Sequence, residues 1–155
     1  MKKDILWAPW RIKYIQEKKK KGCIFCAALK GKSNFVIVKN RLSFSMLNTF
    51  PYNNGHTMIS PNRHTAGLEA LGEAEIRDLF KTLLQTKKLL DKTLKPQGYN
   101  IGINIKEIAG AGIAGHLHIH IVPRWKADTN FMPVCADTKV ISQSLKELYS
   151  KLKKK

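Results

Sequence analysis

Apolar and polar positions along this chain fall into short alternating stretches, then one long helical period, then alternation again. Residues 34–39 are rich in Val and Ile, residues 42–47 alternate imperfectly, and residues 55–60 end at Pro61. Each reads as a strand bounded by turn formers. Between the last two lies Asn48-Thr49-Phe50-Pro51-Tyr52-Asn53-Asn54-Gly55, a run of turn residues. From about residue 73 to 95 the period changes, with Ile76, Leu79, Phe80, Leu83, Leu84, Leu90 and Leu94 recurring at helical spacing on one side. Pro96-Gln97-Gly98 stops that helix. Residues 99–105 return to strand character, 110–115 form a small-residue loop, and 116–122 alternate strictly. A last apolar stripe, Val140, Ile141, Leu145, Leu148 and Leu152, predicts a short helix over about 139–152. This order predicts an α+β fold with a mainly antiparallel sheet, one long helix and a short C-terminal helix.

At 155 residues the chain fits one domain with a real core. No apolar run approaches a membrane span, and Met-Lys-Lys-Asp lacks the apolar stretch of a signal peptide. The expectation is a soluble, cytoplasmic protein. Charge changes the picture more. Lysine and arginine total 28 against 11 acids, a net of +17, partly in the runs 18–21 and 151–155. Such runs are solvated surface, or they attract a polyanion such as a nucleotide or RNA. They argue against an acidic peptide or a cationic ligand. Residues 4–15 are too aromatic for a disordered arm and are expected to pack on the domain or on a partner subunit.

The alternating stretch is Gly115-His116-Leu117-His118-Ile119-His120-Ile121-Val122. In a strand, successive side chains point to opposite faces, so three imidazoles are expected on one face. A neutral imidazole whose N–H is held by a carbonyl offers its other nitrogen as a nucleophile. The glycine-containing loop before it lets backbone N–H groups approach phosphate oxygens. The pattern suits attack on phosphorus; a rival reading makes all three histidines ligands of one catalytic metal. Cys23-Ile24-Phe25-Cys26 reads as a tight knuckle over residues 22–27 whose thiolates can share one ion. Its alternatives are a redox pair and idle thiols. His64 lies past a strand end, where it can reach an ion. Cys135 stands alone and reads as a small buried hydrophobe.

These residues resemble the histidine triad (HIT) superfamily. Gly55-His56-Thr57-Met58-Ile59-Ser60-Pro61 resembles the strand carrying that family's additional active-site histidine. Leu6-Trp7-Ala8-Pro9-Trp10-Arg11, the cysteine pair, Pro123-Arg124-Trp125 and Asn130-Phe131-Met132 resemble the bacterial branch acting on diadenosine tetraphosphate as phosphorylase or hydrolase. The resemblance implies a single HIT domain over 1–155, with an N-terminal segment 1–21, a core 22–124 and an extension 125–155. It implies that His118 is the nucleophile that becomes nucleotidylated, that His120 contacts the transferred phosphate, and that His56 supports both. Asn48 falls at a ribose-contacting position and Asn104 at a phosphate-contacting one. The loop before the triad lacks the polar side chain common in relatives, which leaves the amides of Gly112 and Ile113 to take its place. In zinc-containing relatives the first triad histidine is a ligand, which implies one structural zinc on Cys23, Cys26, His64 and His116, and no organic cofactor. The implied partners are a dinucleoside polyphosphate and a second copy of the chain, with no membrane. The alternative function is a nucleotide- or RNA-binding module with weak phosphoramidate or nucleotide hydrolysis.

Overall fold

The computed structural model describes residues 22–31, 35–128 and 143–153. The aromatic segment 4–15, the lysine run 18–21, the block 130–132 and Cys135 lie outside the described residues. The elements are α1 (Ile24–Leu29), β1 (Val36–Lys39), β2 (Ser43–Leu47), β3 (Thr57–Pro61), α2 (Glu73–Leu94), β4 (Gly98–Ile103), β5 (Ile119–Arg124) and α3 (Leu145–Lys153). The five strands form one sheet in the order β1-β2-β3-β5-β4, and every pairing is antiparallel. The α+β architecture expected from the sequence is therefore present.

Strand periodicity sorts the two faces of this sheet. Leu47, Ile59, Ile119 and Ile121 pack with Leu79, Leu83 and Leu90 of α2 and Leu148 and Leu152 of α3. Phe44, Met46 and Met58 point the other way and pack with Phe25 and Ala28 of α1. The positions 46/48, 56/58 and 118/120 share the second face by parity, so the candidate chemistry is gathered opposite the long helix.

Under α2 the contact is unusually polar. Ser43 Oγ lies 2.6 Å from Thr82 Oγ1 and donates to Asp78 Oδ2 at 2.7 Å. Thr86 donates to Ser45 Oγ at 2.9 Å, and Asn40 Nδ2 donates to Thr82 at 2.6 Å. All four hydroxyl residues are fully buried. This ladder shifts the buried arc of α2 away from the expected stripe. Leu79, Leu83 and Leu90 are buried, whereas Ile76, Phe80 and Leu84 are exposed.

Three further boundaries differ from the sequence expectation. The 22–27 knuckle is the entry to a helix, with the Ala27 N–H donating to the Cys23 carbonyl at 3.0 Å. The C-terminal helix starts at Leu145, because Ser144 Oγ accepts the Glu147 N–H at 3.2 Å and caps it there; residues 139–142 lie outside the described residues. The histidine strand begins only at Ile119. The His116 N–H closes a turn on the Ile113 carbonyl at 3.3 Å, and the Leu117 N–H donates to the Thr65 carbonyl at 2.6 Å. His116 and His118 thus precede the ladder, although their side chains keep the alternation.

Candidate functional site

Gly55 delivers the chain to His56. It has φ +77, and a β-carbon there would stand 2.5 Å from Leu94 Cδ1 and 3.0 Å from Pro123 Cγ. Only glycine meets both demands. His56, 1 % exposed, leads into β3, whose Met58 is in register with His120 of β5. The two histidines meet across that pairing, with His56 Nε2 and His120 Nδ1 2.9 Å apart. The Tyr52 ring stacks on His56 at 4.6 Å, and the Tyr52 N–H donates to His56 Nδ1 at 3.0 Å. Asn48 Nδ2 lies 3.3 Å from the same nitrogen, and Asn48 Oδ1 accepts the Phe50 N–H at 2.9 Å.

His118 is buried, and its ring centroid lies 4.8 Å from that of His120. Its Nδ1 is 2.8 Å from the His116 carbonyl. A carbonyl only accepts, so Nδ1 carries the proton and Nε2 keeps the lone pair. Burial lowers His118, and burial followed by the His118 charge lowers His120 to about 4. Both rings are neutral near pH 7.

His116 serves a different cluster. Its Nε2 donates to the Pro61 carbonyl at 3.0 Å, which leaves Nδ1 bare. That nitrogen lies 3.2 Å from Cys23 Sγ and 3.7 Å from Cys26 Sγ, while His64 Nδ1 lies 3.3 Å from Cys26 Sγ. The four ligand atoms all lie within 4.8 Å of one another. Atoms bound to one tetrahedral zinc are separated by roughly 3.3–3.8 Å, given metal bonds of about 2.0–2.3 Å. The group could hold a metal ion. Burial lowers His116, which favours the neutral ligand form; burial, the Cys23 hydrogen bond and the Cys23 charge push the Cys26 thiol up, a penalty that a bound cation would offset. Arg63 holds His64 in reach by donating to Glu75 at 2.8 and 3.0 Å and to the Ala70 carbonyl at 2.6 Å.

The rival reading of all three triad histidines on one metal does not fit these partners. His116 turns its open nitrogen to the thiols, His118 Nδ1 is held by a carbonyl, and His120 Nδ1 is held by His56. Of the other expected residues, Asn104 lies past β4, with Nδ2 3.4 Å from the Gly110 carbonyl. Among the described residues, the amides of Gly112 and Ile113 donate to no backbone acceptor. Sequence reasoning missed Phe25, whose ring lies 5.0 Å from His116 and 4.9 Å from His118 and so joins the two clusters. Its place between the two cysteines was the available signal. It also missed Tyr52, although the turn-rich run just ahead of His56 pointed there.

Most of the chain matches known proteins. Residues 30–127 match the family model for the HIT domain. An AP-4-A phosphorylase of Mycobacterium tuberculosis is 33% identical over 92% of this chain and 78% of its own length. The asymmetrical bis(5'-nucleosyl)-tetraphosphatase of Schizosaccharomyces pombe is 33% identical over 60% of this chain and 50% of its own. Among solved structures, a zinc-bound histidine triad family protein from Mycobacterium smegmatis superposes with a TM-score of 0.66 at 23% identity, covering 84% of this chain and 90% of that one.

Proposed function

The chain belongs to the HIT domain family, and from that premise we propose that it cleaves dinucleoside polyphosphates of the diadenosine tetraphosphate type through a nucleotidyl-histidine on His118. The observation that carries this reading is the 2.8 Å contact from His118 Nδ1 to the His116 carbonyl, which leaves Nε2 as a lone pair. That nitrogen attacks the α-phosphorus; a P–N bond forms, and the P–O bond to the departing polyphosphate breaks. Phosphate or water then attacks the same phosphorus; a P–O bond forms as the P–N bond breaks, the acceptor's proton is released, and the neutral imidazole is restored. His120 contacts the transferred phosphate, and His56 holds His120. Asn48 serves the ribose, while Asn104 and the Gly112 and Ile113 amides serve phosphate oxygens.

Cys23, Cys26, His64 and His116 would hold a zinc ion. With four protein ligands it would have no open position, and its contribution would be to anchor the backbone two residues ahead of the nucleophile. A homodimer is supported by the exposed Ile76, Phe80 and Leu84 on α2 and by the position of β4 at the sheet edge. Phe80→Lys is expected to yield monomer in sedimentation. Among the described residues no helix is long and apolar enough to cross a membrane, and a cytoplasmic location is part of the proposal.

Product analysis with diadenosine tetraphosphate, with and without added phosphate, tests the reaction. ADP plus ATP, formed only with phosphate, identifies a phosphorylase. AMP plus ATP identifies asymmetric hydrolysis, whereas two ADP would place the attack on the β-phosphorus and overturn the nucleotidyl-histidine route. No turnover under either condition defeats the proposal.

A further inference from the structure

The bonds around His56 have a direction. A backbone amide only donates, so the Tyr52 N–H at 3.0 Å requires a lone pair on His56 Nδ1. The Asn48 amide nitrogen at 3.3 Å makes the same demand. In the neutral ring the remaining proton sits on Nε2, 2.9 Å from His120 Nδ1. His120 Nδ1 therefore accepts. With His120 drawn down to about 4, its own proton sits on Nε2. The neighbouring His118 has the opposite arrangement. Two rings 4.8 Å apart thus expose unlike Nε2 atoms, one a lone pair and one an N–H.

The donor that starts this chain is itself braced. Asn53, 7 % exposed, follows Tyr52 and accepts the His56 N–H on its carbonyl at 3.1 Å. Its side-chain Nδ2 donates to the Pro123 carbonyl at 3.1 Å and to Asp128 Oδ2 at 2.8 Å. Pro123 belongs to β5, the strand that carries His120. Asp128 also accepts the Trp125 N–H at 3.2 Å and pairs with Arg124. One buried amide side chain therefore fixes the turn bearing Tyr52 to the strand bearing His120.

We propose that the Tyr52 backbone amide, acting through His56, keeps His120 a hydrogen-bond donor toward phosphate, and that Asn53 is the positioning residue that holds this amide in place. The proposal rests on the nucleotidyl-transfer reading for its catalytic consequence. A phosphate oxygen offers only lone pairs, so His120 binds it with Nε2–H and repels it with a bare Nε2. The Asn53 side-chain amide donates to the Pro123 carbonyl and to Asp128, away from the triad histidines. Its effect is exerted on which nitrogen of His120 holds the proton.

Long-range nitrogen–proton NMR of histidine-15N protein near neutral pH, without substrate, reads the tautomers. Wild type is expected to show Nε2–H on His56 and His120 and Nδ1–H on His118. An Nδ1–H form of His120 overturns the proposal with no variant required. Asn53→Ala is expected to mix the tautomers of His56 and His120. It should also lower kcat about ten- to a hundredfold, with KM for diadenosine tetraphosphate changed less than about twofold. Tyr52→Ala removes the stacked ring and keeps the amide, so its tautomers should match wild type; the same mixing in both variants would show that the stack sets the ring state and would overturn the proposal. Expected tautomers in a protein that turns over no dinucleoside tetraphosphate would support the tautomer assignment and defeat only the proposed substrate.

Discussion

Two histidine clusters lie side by side in this protein, and they use the same ring in opposite ways. In the cluster of Cys23, Cys26, His64 and His116, Nδ1 is the open nitrogen and faces sulfur. In the cluster of His56, His118 and His120, every Nδ1 is engaged and Nε2 of His118 keeps its lone pair. The carbonyls of Pro61 and His116 make the difference, each by taking one N–H. A histidine's role here is decided by which of its nitrogens the backbone occupies, so residue type and position alone are insufficient to assign it.

The most direct way to break this division is His118→Ala. If the second cluster holds the nucleophile, turnover falls by on the order of 10⁴ or more, while metal content and the unfolding midpoint stay near wild type. Retained turnover in the purified variant would merge the two roles. The converse test is Cys26→Ser, or chelation of the wild type. Bound metal is expected to be lost, with a drop of about 3 kcal/mol, or roughly 10 °C at this chain length. His118→Ala should keep its metal under the same conditions, and metal loss in both would erase the boundary between clusters.

Gly55→Ala sharpens the comparison from outside. It adds a methyl against Leu94 and Pro123 at positive φ, at a cost of about 2–4 kcal/mol. Denaturant melts should show this loss, with metal stoichiometry unchanged, because Gly55 leads into His56 and has no contact with the thiols. The remaining effect concerns pH. His120 in the fold lies at about 4, below the ordinary 6.5, so folding favours its neutral form. As pH falls through 6.5 the unfolded chain takes up a proton first, and stability is lost between about 6.5 and 4. His120→Gln should flatten part of that decline in a series of melting midpoints, and an unaltered slope would show that His120 does not carry it.

Much of this was legible in the residue pattern. Period-two runs and one period-3.6 run gave the sheet and the long helix, because burial on one face writes that spacing directly. The cysteines and the triad carried their chemistry in residue type. What stayed hidden was decided by backbone groups, which have no letter of their own. The Thr65 carbonyl, by taking the Leu117 N–H, delays the ladder to Ile119. The Tyr52 amide orients His56, yet any residue except proline supplies that donor. Ile76, Phe80 and Leu84 share the spacing of the buried stripe because spacing fixes a helix's period, whereas the phase of burial comes from Thr82 and Thr86 meeting Ser43 and Ser45.

That buried row of hydroxyls makes α2 a measuring rod. A helix seated on methyl groups alone could advance one turn, about 5.4 Å, and find new leucine contacts. Here such a slip would strand Ser43, Ser45, Thr82 and Thr86, at about 1–3 kcal/mol for each buried hydroxyl left without a partner. The rod has one notch, and its far end is fixed with it. Leu90 and Leu94 lie at that end, against the space a Gly55 side chain would fill. The distance from the notch to His56 is thereby set on the opposite side of the sheet from the histidines themselves.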